Sequence, residues 1–114
     1  MDAQTAKQRF VSLPEGKKKL VLASLGHQLT IYARGSYLED RDLQSRFLRL
    51  RAFNEIQHQV TGHLHGKLIG AKVYPDDILM DILFEIAQKA GCERDLLGAL
   101  GWALDRLRPA AQPS

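Results

Sequence analysis

From Asp42 to about Leu68 the chain reads DLQSRFLRLRAFNEIQHQVTGHLHGKL, and this stretch constrains the fold most. Leu43, Phe47, Leu50, Phe53, Ile56, Val60, Leu64 and Leu68 recur every three or four positions, which is the period of an α-helix with one half of its cylinder apolar. The pattern predicts a long helix from 42 to 66, capped by Asp40 or Asp42, against which everything else packs. Gly62 and Gly66 each weaken a helix by about 1 kcal/mol relative to alanine, so the helix is expected to fray or end near Gly66. Asn54, Gln57, His58 and Thr61 are the unusual members, because a plain core helix would be apolar there.

The rest of the chain divides into three more helices. Pro14 and Glu15 suit a first helical turn, proline by its preset backbone angle and glutamate by the positive helix end, with Ser12 able to cap. A helix over 14–35 follows, with Val21, Leu22, Leu25, Leu29, Tyr32 and Ala33 on one broad stripe and Gly35 as its stop. Its opposite side is not a clean solvent face, for it carries Leu20, His27, Ile31 and Arg34. A helix apolar on two sides either lies deep in a core or offers its second side to a partner, and a small chain has few elements to cover both. Tyr74-Pro75-Asp76-Asp77 opens a third helix, with Leu79, Ile82, Leu83, Ile86 and Ala87 inward, and Gly91 ends it. A fourth runs from Cys92 or Glu93 to Arg108, with Leu96, Leu97, Leu100, Leu104 and Leu107 along one seam. No segment alternates like a strand. The reading is all-α: a compact single-domain bundle of four helices, two long ones and a shorter C-terminal hairpin over 75–108, with residues 1–12 and 109–114 flexible.

Composition narrows the function classes. With 114 residues the chain is large enough for one modest core without staples. The net charge of +3 includes the run Lys17-Lys18-Lys19 and permits an acidic partner without demanding one. A single cysteine, Cys92, excludes an intramolecular disulfide and a Cys-rich metal site and fits a reducing compartment. The N-terminal MDAQTAKQRF has no apolar core of signal-peptide length, and Leu20 to Ala33 is too short and polar to span a bilayer. The expectation is a cytoplasmic protein with no membrane contact and no cofactor.

Candidate chemistry sits on and around the second predicted helix. Leu50, Asn54, Gln57, Thr61 and Leu64 fall within about 40° of one line on the helical wheel, beside His58. An amide left unpaired in the interior costs roughly 1–3 kcal/mol, so this row is expected to be a satisfied interior polar network or a half-exposed edge of the helix, or else a small pocket or a specificity-setting strip at a subunit contact, with His27 and Arg34 as neighbours. Glu55 and His58 have the spacing of a di-iron bundle motif, but the sequence has no second copy and no metal ligands are assigned. His63 is expected to point away from His58. Cys92 at a predicted helix start has its thiol acidified by the helix dipole, yet no nucleophile elbow, phosphate loop or carboxylate pair accompanies it.

Residues 85–104, with Ala87 four before Gly91 and Leu97 and Leu100 following, resemble the DNA-binding helix-turn-helix pattern. The would-be recognition face of Glu93, Arg94, Asp95, Gly98 and Ala99 departs from it, since two acids repel phosphate and two near-blank residues read no bases. Trp102 lies off the leucine seam and is either a partner-facing anchor or a lid on the core, while Gly98 and Gly101 would let another helix approach closely. The sequence thus favours a non-catalytic protein-interaction or homodimerising module, with Leu20, Ile31 and Trp102 as interface candidates. The alternatives are a DNA-binding regulator using the 85–104 hairpin, and a small-molecule or metal pocket around Asn54, His58 and His27.

Overall fold

The structure, a computed structural model, describes residues 1–39, 42–69 and 73–106, with side chains placed for 1–34, 42–66 and 73–106. These residues form five helices and no strand: α1 (Ala3–Val11), α2 (Glu15–Glu39), α3 (Leu43–Ile69), α4 (Asp76–Lys89) and α5 (Glu93–Asp105). The all-α class holds, and the expected count of four becomes five. None of these helices is long and apolar enough to cross a membrane.

The added helix is α1, formed where the sequence suggests flexibility. Asp2 caps it, its carboxylate accepting the Thr5 N–H at 2.8 Å. Ala6 and Phe10 stand one turn apart and are fully buried, in contact with the one continuous core. Ion pairs Lys7–Asp81 and Arg9–Asp105, both 3.0 Å, hold the helix to α4 and α5. So short an apolar stripe carries almost no periodic signal, and tertiary burial of Phe10 decides it. The tail 109–114 lies outside the described residues.

α2 and α3 are antiparallel: Leu22 shares a cleft with Leu64 at one end, and Gln57 reaches Gly26 and Thr30 further along. Both helices outrun their predicted stops. α2 passes through Gly35 to Glu39, and α3 passes Gly62 and Gly66 to Ile69. A glycine ends a helix only where the backbone turns left-handed, and among described glycines only Gly91 does so, at φ 71. There the Cys92 N–H bonds to the Ala87 carbonyl at 2.9 Å and the Gly91 N–H to Gln88 at 3.2 Å, a Schellman closure of α4. The starts at Asp42 and Pro75 fall where the sequence places them. The Asp42 carboxylate accepts from the Gln44 and Ser45 N–H groups, and the Pro75 carbonyl accepts the first α4 bond from Leu79.

The α4–α5 hairpin packs on the α2–α3 hairpin, α5 against α2 and α4 against α3, with α1 wedged onto α4 and α5. On α3 the core line is Ala52, Phe53, Ile56 and Val60; on α2 it is Val21, Leu22, Leu25 and Leu29. Cys92, Leu96, Ala99, Leu100 and Ala103 complete the interior from α5 and its approach.

Candidate functional site

The two ends of the α2–α3 hairpin differ in chemistry. At the base, where α2 begins, a cleft of about 510 Å³ is walled by Leu22, Leu64, Val73, Tyr74 and Pro75, with Glu15, Lys18, Lys19, His63 and Asp76. Three elements meet in one polar cluster. The Lys18 ammonium donates to Asp76 Oδ2 and to Glu15 Oε1, the latter at 3.4 Å, and His63 Nε2 lies 3.3 Å from Asp76 Oδ1. The Asp76 hydrogen bond raises the Lys18 pKa above its ordinary value. The other ring nitrogen of His63, Nδ1, is buried without a hydrogen-bond partner among the described residues. Sequence reading takes Lys17–Lys19 as a charge run, Asp76 as a dipole complement and His63 as a side chain facing away. Nothing local joins residues 18, 63 and 76; only the packing of three helix segments does.

The polar row of α3 does not face the interior. Asn54, His58 and Thr61 are exposed, as are His27 and Arg34. Ala52, Phe53, Ile56 and Val60 take the core side, and Asn54 and Thr61 lie more than 90° around the axis from Ile56. Only Gln57, at the edge, is partly buried, and its amide is satisfied across the helix pair. Nε2 donates to the Gly26 carbonyl at 2.9 Å and to the Thr30 hydroxyl at 2.6 Å. His27, Gln57 and Thr61 line one shallow groove of about 270 Å³, while Asn54 belongs to another. His58 lines neither of these, so the trio Asn54, His58 and His27 is not one pocket. Among the described residues no three His, Cys, Asp or Glu side chains gather closely enough to hold a metal ion.

The tip of the hairpin is apolar and open. On α3, Leu43, Phe47 and Leu48 are 72%, 75% and 48% exposed. Along α2, on the second apolar side that the sequence identifies, Leu20 near the base is 56% exposed and Ile31 is 47% exposed. Two shallow clefts of about 370 Å³ each adjoin on α3. One is lined by Phe47, Leu50, Arg51, Asn54 and Glu55, the other by Leu48, Arg51, Ala52, Glu55, Ile86, Lys89 and Ala90.

Three other sequence candidates resolve by packing. Trp102 is half-buried against the core, with the Arg106 guanidinium 4.5 Å from its ring centroid. Gly98 and Gly101 receive this chain's own side chains, for a Cβ at 98 would stand 3.0 Å from Tyr32 Oη and one at 101 would stand 3.1 Å from Met1 Cε. The Cys92 thiol is buried, and desolvation followed by Asp95 pushes its pKa up, against the acidification that a helix start suggests. On α5 the residues Leu96, Ala99, Leu100, Ala103 and Leu104 are buried, which leaves few side chains to enter a groove of DNA.

No known protein family, curated protein or solved structure matches this chain.

Proposed function

We propose that this protein is a small, non-catalytic interaction module that engages another protein chain through the outer faces of the α2–α3 hairpin. The observation that carries the reading is the set Leu20, Ile31, Leu43, Phe47 and Leu48, five large apolar side chains left 47–75% exposed above a fully buried core. Apolar surface of this kind, kept outside when a core is available, marks contact sites in soluble domains. Self-association is one form of this reading, and a cytoplasmic setting, supported by the lone buried Cys92, is its natural context.

A photocross-linker at position 47 tests it in intact cells. A discrete adduct, of dimer mass or heavier, is expected from position 47 and none from Glu85 on the exposed side of α4. Absence of an adduct at 47, with a monomer in sedimentation at micromolar concentration, defeats the proposal. The DNA-binding alternative predicts retention on duplex DNA that weakens steeply with salt, and the burial of α5 gives it less to work with.

A further inference from the structure

Among the described residues no backbone hydrogen bond joins α1 to another helix. The bonds that close its C-terminal end run back into α1 itself. The Ser12 N–H and hydroxyl both donate to the Gln8 carbonyl, at 3.1 and 2.7 Å, and the Leu13 N–H donates to the Phe10 carbonyl at 3.1 Å. α2 then starts afresh, with the Lys18 N–H on the Pro14 carbonyl at 3.0 Å. Pro14 has no N–H to carry a helix through, so α1 and α2 are separate units joined at 12–14.

The contacts that seat α1 are few. α4 and α5 each bury five side chains, whereas α1 buries two, Ala6 and Phe10, with Ala3 partly covered. Its polar ties are Lys7–Asp81 and Arg9–Asp105, and in each the acid is more than half exposed. Such pairs hold weakly and are screened by salt. The bond that the Thr5 N–H donates to Asp2 is internal to the helix. Nine residues do not keep a helical shape alone in water, so α1 is helical because Phe10 is seated. Residues 1–12 therefore combine a polar composition that reads as flexible with a helix that exists when docked.

We infer that α1 is a strap, latched by Phe10 over α4 and α5, which opens as one unit while α2–α5 stay folded. Closed, it joins three helices: Lys7 reaches α4, Arg9 reaches α5, and the Met1 side chain lies over Gly101. Open, it uncovers α4 and α5 beside Asp81, Gly101 and Asp105 and breaks no backbone bond of the other four helices. Those helices keep their own interior, with Leu25, Leu29, Phe53, Ile56, Leu83 and Leu96 fully buried. Both ion pairs oppose opening and both are screened, so access to the covered surface rises with ionic strength. The strap uses no residue of the α2–α3 outer faces and stands or falls apart from the contact surface proposed there.

Native-state amide exchange on the full chain tests this. The amides of residues 6–12 are expected to exchange together, at least about ten-fold faster than those around Phe53, through an opening that depends only weakly on denaturant. Raising NaCl to about 0.5 M should speed their exchange several-fold, and Lys7→Glu should do the same at low salt. Phe10→Ala should strip α1 of protection and lower that of α3 by no more than the factor α1 has lost, because the variant begins from the open form. Exchange of α1 at the rate and denaturant dependence of α3 overturns the strap, since α1 then opens only by global unfolding. So does a parent chain whose α1 has no protection, or a Phe10→Ala variant whose α3 loses more than that factor.

Discussion

Phe53 and Phe47 lie six residues apart on the same helix and have opposite fates. Phe53 is fully buried and Phe47 is 75% exposed, because six residues at 3.6 per turn rotate the side chain about 120° away. The contrast extends to the two ends of the α2–α3 hairpin. The base is tied to α4 by Lys18, Asp76 and His63. The tip spends its apolar residues on solvent. The base is held by ion pairs between helices, whereas the tip leaves Phe47 in solvent.

Phe53→Ala should produce the largest effect of any substitution considered. It empties a fully enclosed site and should cost about 3–5 kcal/mol in denaturant unfolding, whereas Phe47→Ala should fall within about 0.5 kcal/mol of the parent. Equal losses at the two positions would erase the distinction between core and contact face.

Next comes the base cluster. Asp76→Ala leaves Lys18 and His63 without their shared acceptor and should cost about 1 kcal/mol, less in high salt because the groups are partly solvated. The pH dependence has a definite sign. Lys18 has a raised pKa in the folded state, so the pair contributes fully below the ordinary lysine value of 10.5 and its contribution is lost as pH rises through the raised one. Asp76→Asn should therefore flatten the alkaline limb of the stability profile measured by thermal unfolding.

Gly62→Ala should act in the opposite direction. A Cβ there meets nothing within 4 Å and the backbone is helical, so α3 should gain about 0.5–1 kcal/mol, read as a higher melting temperature. Loss of stability instead would place a close neighbour over this side of the base.

The smallest effect belongs to the tip under acid. Hydrogen bonds from Ser45 and then Gln44 hold the Asp42 carboxyl below its ordinary value. Its capping contribution is present above that ordinary value and is lost as pH falls through the lowered one. Amide exchange in the first turn of α3 should accelerate in that window while Phe53 and its neighbours stay protected. The tip is thus the acid-sensitive end and the base the alkali-sensitive end.

Much of the fold was legible in the sequence, and the reasons are local. Asp42, Pro75 and Gly91 punctuate helices through their own hydrogen bonds and backbone preferences, and each does so at its expected position. The inward face of α4, with Leu79, Leu83 and Ala87, follows from its period alone. The exposure of Leu20 and Ile31 was legible as well, as apolar residues on the wrong side of a helix already provided with a core face. The candidate site was legible only in part. Gln57 found partners as a half-buried amide must, but Asn54 and Thr61 turned outward, and the meeting of Lys18, His63 and Asp76 has no local signature.

What the sequence alone determined, then, is that the chain is helical, where most helices start, and that α2 carries more apolar surface than one face can hold. A residue's backbone preferences and its three or four nearest helical neighbours suffice for that. Only the tertiary structure decided which side of α3 became core, that Phe10 would fold α1 down, and that Lys18, His63 and Asp76 would meet. Where apolar residues surround a helix, the period no longer selects a face; the choice falls to which neighbours arrive to bury it. The same arrivals, α4 and α5 along one side of the hairpin, left Leu43 and Phe47 uncovered on another.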